Sequence, residues 1–112
     1  VYENEIMKNA LRILNKKKLG FLVVINNQGL NTGVFTDGDL KRIMQKKSNI
    51  EKFKIKLFMT KKPHIVEENT LASEILTLMN KKKITNVCVY KKNNKKKTIG
   101  IVHIHNLLKI LK

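Results

Sequence analysis

The chain has 112 residues, the usual size of one domain or two small ones. Hydrophobic residues make up 42% of it, enough to build a core, so the composition excludes a disordered chain although 29% of the residues are charged. The formal net charge of +16 predicts attraction to a polyanion such as nucleic acid, an anionic membrane or a phosphorylated ligand. Lys, Asn and Ile (22, 13 and 13 residues) show the bias that an AT-rich genome produces, and we favour this explanation, with the lysines on solvated faces.

Several classes of protein are excluded by other features of the composition. Cys88 is the only cysteine, which excludes a disulfide framework and a cysteine zinc site. Because it lies in an apolar run, we expect a buried structural thiol. No apolar stretch approaches the ~20 residues of a membrane span, and no signal peptide is visible, so we expect a cytoplasmic chain with no membrane partner. The first residue is Val1 rather than methionine, which indicates a fragment of a longer protein.

An internal repeat organises the chain. Residues 15–24 (NKKKLGFLVV) align with residues 80–89 (NKKKITNVCV), and residues 33–40 align with residues 100–107. The second alignment is offset by two more residues than the first, and these fall in a lysine-rich turn, Lys91 to Lys97, where an insertion costs least. We assign residues 1–52 to repeat 1 and residues 53–112 to repeat 2.

Each repeat predicts the same series of elements in chain order: an amphipathic helix, an apolar strand, a polar turn, a second strand and a closing helix. In repeat 1 these are a helix with Ile6, Ala10, Ile13 and Leu14 on its apolar face, strands Phe21 to Ile25 and Gly33 to Phe35, and a helix from Asp37 to about Gln45. In repeat 2 they are a helix with Leu71, Ile75, Leu78 and Met79 on that face and Asn69 or Thr70 as N-cap, strands Val87 to Tyr90 and Ile99 to Val102, and a helix from Ile104 to about Leu111.

A basic connector, residues 46–56, follows the first repeat, and residues 57–66 form the leading segment of the second. The first repeat retains only Val1 and Tyr2 of such a segment. Continuous apolar strands flanked by helices indicate strands that are covered on both faces. We therefore expect an α/β (α+β) fold of two β-α-β-β-α repeats related by a pseudo-twofold axis, with a cleft where the equivalent strand-to-helix turns converge.

The sharpest candidate site is the first of these turns, GVFTDGDL at residues 33–40. Gly33 allows a close backbone approach, and Thr36 precedes a helix whose free N–H groups attract phosphate. Asp39 is an acceptor suited to the paired hydroxyls of a ribose. The same Thr-x-x-Asp spacing also predicts a capping box, and the two roles are compatible.

The equivalent turn of the second repeat has His103 in place of Thr36 and Asn106 in place of Asp39. His103 and His105 lack a third ligand, which disfavours a metal site. A protonatable histidine that faces a phosphate or a carboxylate, or a structural role, is favoured. No nucleophile triad, carboxylate pair or phosphate-binding loop is present, so the sequence offers no catalytic residues. Six aromatic residues and two arginines also disfavour nucleic-acid binding as the main function.

The repeat, the G-h-h-T-x-x-D ending of the first copy and Met59-Thr60 ahead of Pro63 together resemble a pair of CBS (cystathionine-β-synthase) domains, the Bateman module. More specifically, residues 33–42, 79–85 and 100–108 are similar to the C-terminal CBS pair of bacterial D-arabinose-5-phosphate isomerases, whose second copy ends in a G-h-h-H-h-H-D-L-L pattern. Asn106 replaces the usual Asp of that pattern. The ligand-binding residues that the resemblance implies are Gly33, Thr36, Asp39, Thr85, His103, His105 and Asn106.

The resemblance implies a regulatory module of an enzyme that interconverts arabinose 5-phosphate and ribulose 5-phosphate for Kdo and lipopolysaccharide synthesis. The sugar-isomerase domain would precede Val1, so this chain would itself be non-catalytic. The module would require no cofactor, bind an adenine nucleotide or CMP-Kdo as a small phosphorylated ligand, form a homodimer and act on its own isomerase domain by a population shift. Two alternatives stay open, a ligand-free oligomerisation module and a polyanion-binding module.

Overall fold

A computed structural model describes residues 1–17 and 20–110 and divides the chain into two compact units, Val1–Pro63 (unit 1) and His64–Lys112 (unit 2). Each unit combines helices with a three-stranded sheet, so the predicted mixed α and β class is confirmed. Three residues used in the predictions lie outside the described part of the chain: Lys18, Leu19 and Leu111.

The elements follow the predicted order in both units. Unit 1 contains α1 (Met7–Lys17), β1 (Phe21–Ile25), β2 (Asn31–Thr36), α2 (Asp37–Met44), a 3₁₀ turn (Ile55–Leu57) and β3 (Thr60–Lys61). Unit 2 contains β4 (Ile65–Glu67), α3 (Ala72–Lys82), β5 (Asn86–Lys91), β6 (Asn94–His103) and α4 (Ile104–Ile110).

The sheet of unit 1 has the order β1-β2-β3, with both pairings antiparallel. Its third strand comes from residues that the sequence places after the basic connector. The connector itself contributes to the core, because Ile50 and Ile55 are 1% and 0% exposed and pack with Met7, Leu14 and Phe35. The sequence gives little sign of this role, because polar or charged residues flank both isoleucines.

The sheet of unit 2 has the order β4-β5-β6, with β4 parallel to β5 and β6 antiparallel to it. Val87 and Met79 lie at the centre of its core and are almost fully buried. Cys88 on β5 is fully buried, which confirms the predicted buried thiol.

The repeat read from the sequence is reproduced in the backbone. Within the sheets, the pair Phe21↔Thr36 of unit 1 corresponds to the pair Asn86↔His103 of unit 2. In the leading segments, Tyr2↔Ile25 corresponds to Glu67↔Tyr90. A bulge interrupts each hairpin at the same aligned position, Val24/Ile25 and Val89/Tyr90. Residues that align in the two copies of the repeat therefore occupy equivalent backbone positions, each within its own unit.

Four details of the predicted elements are wrong. Ile6 lies ahead of the first helix, which begins at Met7, so Met7 rather than Ile6 is the fully buried residue at that end of its apolar face. Neither Asn69 nor Thr70 caps α3; Leu71 is the N-cap residue, and no side chain caps the helix because a leucine side chain has no hydrogen-bond acceptor. Leu71 consequently lies outside the helix and is 63% exposed rather than in the core. The lysine-rich turn is also shorter than predicted, since β6 already begins at Asn94.

No helix in the described part of the chain has both the length and the apolar character of a membrane span.

Candidate functional site

The first predicted turn forms a complete capping box at the start of α2. The backbone N–H of Asp39 donates to Thr36 Oγ1 at 3.1 Å, and the backbone N–H of Thr36 donates to Asp39 Oδ2 at 2.9 Å. These bonds satisfy two donors that a helix start otherwise leaves to water. The capping role foreseen for this spacing is thus present.

Asp39 also connects α2 to the neighbouring strand. The hydroxyl of Thr60 donates to Asp39 Oδ1 at 3.1 Å, and the guanidinium of Arg42 pairs with the same oxygen. The Asp39 side chain is only 8% exposed, whereas the Arg42 side chain is 69% exposed. The turn therefore presents a cationic guanidinium to solvent beside a buried anion that holds it in place.

Gly33 lies where β2 and β3 approach closely. A Cβ at this position would come within 2.7 Å of both the Thr60 carbonyl oxygen and the Met59 sulfur. No side chain fits there unless β3 moves, because real Cβ contacts are never this short. Gly33 thus permits the packing that brings Thr60 to Asp39, and this is a structural reason for the glycine at the predicted site.

The second predicted turn has the same design with different side chains. The backbone N–H of His103 donates to Asn106 Oδ1 at 3.0 Å, as Thr36 does to Asp39. His103 Nδ1 in turn accepts the backbone N–H of His105 at 3.1 Å, and the two imidazole rings stack with centroids 4.7 Å apart. Because His103 Nδ1 is an acceptor, the neutral ring carries its proton on Nε2.

Thr85 and Asn86 lie next to this turn at the start of β5. The Thr85 carbonyl accepts the backbone N–H of Ile104 at 2.8 Å, and the Asn86 amide donates to Thr85 Oγ1 at 3.2 Å. Asn86 pairs with His103 across the sheet. Its Oδ1 is buried and has no hydrogen-bond partner among the described residues. A buried acceptor without a donor costs about 1–3 kcal/mol, so this atom is the unsatisfied group of the cluster.

The stability of unit 2 is predicted to fall as the pH drops below about 6.5. Partial burial, and to a lesser degree the charge of His105, lower the pKa of His103 from its usual value of 6.5. The unfolded chain therefore takes up this proton first, so the contribution of His103 is complete above pH 6.5 and is lost as the pH falls toward the lowered pKa. Protonation of Nδ1 would also remove the acceptor for the His105 N–H. Thermal unfolding between pH 5 and 8 measures the effect.

The matched variant for this prediction is His103→Gln, which has no titrating ring. The part of the pH dependence that belongs to His103 should disappear in it. An NMR titration of the ring protons should also give His103 a midpoint below that of a free histidine. A midpoint above 6.5, or an unchanged pH profile in the variant, would contradict the assignment.

The predicted site residues form two groups, one in each unit. Gly33, Thr36 and Asp39 are brought together in unit 1, and Thr85, His103, His105 and Asn106 in unit 2. Three further members, Arg42, Thr60 and Asn86, are not among the predicted site residues. Only Arg42 had a local signal, since it lies three residues after Asp39 on one helix face. Thr60 is 21 residues from Asp39, and Asn86 is recognised only by its missing partner.

Within residues 1–17 and 20–110, no group of three or more His, Cys, Asp or Glu side chains is arranged to hold a metal ion. The two turns instead offer hydrogen-bond donors and acceptors, and the turn of unit 1 also offers the exposed guanidinium of Arg42. Such groups recognise a polar organic ligand or a phosphate.

Comparison with known proteins identifies both the fold and the relatives. A family model described as CBS domain matches residues 1–46 and 54–112. The Rickettsia prowazekii protein RP505 is 37% identical over 96% of this chain and 32% of its own length. Arabinose 5-phosphate isomerase KdsD of Escherichia coli K12 is 32% identical over 92% of this chain and 30% of its own length. The chain thus spans about a third of the length of these curated relatives.

Solved structures share the fold at low sequence identity. The CBS-domain-containing protein ATU1752 of Agrobacterium tumefaciens superposes over 100% of this chain and 82% of its own with a TM-score of 0.88 and 21% identity. CBSX2, solved in complex with AMP, superposes over 99% of this chain and 84% of its own with a TM-score of 0.81 and 24% identity. At these identities, the two superpositions show a shared fold and nothing more.

Proposed function

Since the chain belongs to the CBS domain family, we propose that this regulatory, ligand-sensing CBS pair binds an adenine nucleotide at the turn that precedes α4, with the turn that precedes α2 as a second, separate candidate. The match to KdsD and the superposition on CBSX2 with AMP support the choice of parent enzyme and ligand. In the full-length protein the module would adjust a D-arabinose-5-phosphate isomerase domain.

The observation that carries the proposal is the unsatisfied Asn86 Oδ1 in unit 2. This oxygen is buried, and Asn86 lies beside Thr85 and opposite His103, two residues that the sequence had singled out. An adenine nucleotide brings donors that suit this acceptor, the exocyclic amino group and the ribose hydroxyls. A bound ligand would therefore satisfy this buried acceptor.

The turn of unit 1 offers a separate group that is suited to a phosphate. The Arg42 guanidinium is mostly exposed and is held at the start of α2 by the buried Asp39. A planar guanidinium presents several N–H donors to phosphate oxygens. Thr36 and Asp39 already cap the helix, so in this proposal they position Arg42 and bind ligand only through their remaining lone pairs.

The experiment that tests the ligand is calorimetric titration of AMP, ATP and CMP-Kdo into the chain, with Asn86→Val as the diagnostic variant. We expect AMP or ATP to bind, and Asn86→Val to weaken binding about tenfold, roughly the value of one hydrogen bond in a buried site. The same variant should unfold at a higher urea concentration, because it removes the unsatisfied carbonyl and adds a β-branched side chain to a strand.

A loss of affinity together with a gain in stability distinguishes a ligand-binding residue from a structural one. Asn94→Val, on the exposed start of β6, is the matched control and should leave affinity unchanged. If CMP-Kdo binds and AMP and ATP do not, the ligand of the module is CMP-Kdo rather than an adenine nucleotide. Absence of binding by all three compounds would favour the ligand-free oligomerisation module.

Regulation follows if the ligand has different affinities for two states of the full-length protein, with a coupling of about 1–3 kcal/mol. The isomerase domain and a second copy of the chain are the partners in this proposal. Exposed apolar side chains on α4, Leu108 and Ile110, provide surface that a homodimer would cover. Isomerase activity of the full-length protein with and without AMP measures the coupling.

A further inference from the structure

The equivalent hairpins of the two repeats differ completely in charge. In unit 1, the hairpin from Phe21 to Thr36 contains no charged residue. In unit 2, the hairpin from Asn86 to His103 contains no acidic residue, and its tip carries five exposed lysines, namely Lys91, Lys92, Lys95, Lys96 and Lys97. We call residues 91–97 the lysine hairpin tip. Positive charge at this place in the fold therefore belongs to one repeat only.

The backbone of the lysine hairpin tip is also specific to unit 2. Both hairpins share the bulge described above, but only the hairpin of unit 2 has a second register shift, between Tyr90 and Lys91. There Tyr90 pairs with Thr98 and Lys91 pairs with Asn94, so residues 95–97 of β6 have no partner on β5. All three of these residues are lysines. The second bulge thus places three consecutive lysines outside the pairing of the two strands.

The fold itself does not require these lysines. In unit 1 the hairpin is closed by neutral groups, since Asn26 Oδ1 accepts the backbone N–H groups of Gln28 and Leu30 at 2.9 and 3.1 Å. Glu67 and Glu68 lie at the base of the hairpin of unit 2. No salt bridge joins them, or any other residue that the structure describes, to the five lysines. Because neighbouring like charges repel, the lysines lower the stability of the hairpin, and folding does not explain them.

The composition of the lysine hairpin tip indicates which kind of polyanion it fits. The tip consists of lysine and asparagine alone, and Asn93 and Asn94 are exposed as well. Both residue types bind the phosphate and sugar groups of nucleic acid. Segments that bind a membrane surface combine lysines with apolar side chains that enter the lipid, and the tip has no apolar residue. It also has no arginine or aromatic side chain to contact bases. The tip therefore fits a nucleic-acid backbone of any sequence.

We propose that the lysine hairpin tip binds the phosphate backbone of nucleic acid without sequence specificity. Its five lysines supply the charge, and the bulge presents three of them side by side. The tip lies where β6 begins, whereas His103 and the turn before α4 lie where β6 ends. This binding surface is therefore separate from the proposed nucleotide site, and it does not depend on that site.

The test is binding of a short DNA duplex of mixed sequence, measured by fluorescence anisotropy over a range of salt concentrations. The diagnostic variant replaces Lys95, Lys96 and Lys97 with glutamine. Each lysine that neutralises a phosphate contributes about 0.9 to the slope of log affinity against log salt, so this slope should become shallower by about 2 to 3. At low salt the variant should bind about tenfold more weakly or less. Its thermal stability should be unchanged or slightly higher, because like charges are removed.

The matched control replaces Lys52, Lys54 and Lys56 with glutamine. These lysines of unit 1 are also exposed, and their loss lowers the net charge by the same amount. The slope should then change by less than about 1. Asn86→Val should bind the duplex as the unsubstituted chain does, which separates this proposal from nucleotide binding. Equal effects of the two triple variants would overturn the proposal, because binding would then follow total charge. So would the absence of duplex binding at low salt, or binding of the tip to phosphatidylserine vesicles but not to the duplex.

Discussion

Replacing Asp39 with alanine is expected to lower the free energy of unfolding of unit 1 by about 3 kcal/mol. The variant removes the capping acceptor for Thr36 N–H and the acceptor for the Thr60 hydroxyl. The Arg42 pair adds little, because that side chain is mostly exposed and solvent screens it. Urea unfolding, followed by amide exchange in α2 and β3, measures the loss.

Asn106→Ala is the matched control because Asn106 is the repeat counterpart of Asp39. Asn106 is exposed and accepts one hydrogen bond, from the backbone N–H of His103. We expect its removal to cost less than about 1 kcal/mol. Equal losses in the two variants would contradict the view that Asp39 joins α2 to β3.

Gly33→Ala is expected to destabilise unit 1 by about 2–3 kcal/mol, because a methyl group must displace backbone rather than a flexible side chain. The new Cβ would lie 2.7 Å from the Thr60 carbonyl oxygen. The amides of β3 should lose their protection from exchange first, since that strand has only two residues.

The repeat again supplies the control for this prediction. Gly100→Ala should change stability by less than about 0.5 kcal/mol, or raise it slightly, in the chain of 112 residues. Urea unfolding of both variants gives the comparison. A loss at Gly100 as large as that at Gly33 would show that glycine is needed at this repeat position for some reason other than the approach of β3.

The fold was predictable where hydrophobic pattern and repeat agree. The strand at residues 21–25 has the predicted bounds, and the register Phe21↔Thr36 has its counterpart in Asn86↔His103. A prediction failed where the first turn of a helix lacked a polar cap, as at Leu71. No local pattern indicates that Thr60 and Lys61 pair with β2, since that pairing depends on residues about 27 positions away.

The candidate site was predictable as two separate turns. The Thr36-x-x-Asp39 spacing gives a capping box by itself, and the repeat extends the geometry to His103 and Asn106. Asn86 has no sequence signal, because an unsatisfied acceptor is a property of packing rather than of residue type. Asp39, predicted as an acceptor for ribose hydroxyls, has a carboxylate that already binds three protein groups without a ligand.

The central claim, that this CBS pair senses a nucleotide through its strand-to-helix turns, is tested most directly by an NMR titration of the ¹⁵N-labelled chain with AMP. The account predicts saturable shifts at the amides of Asn86, His103 and Asn106, with the Arg42 side-chain signal also moving. In Asn86→Val the same shifts should need about tenfold more AMP. Saturable shifts confined to residues remote from both turns, or no shifts at millimolar AMP, would contradict it.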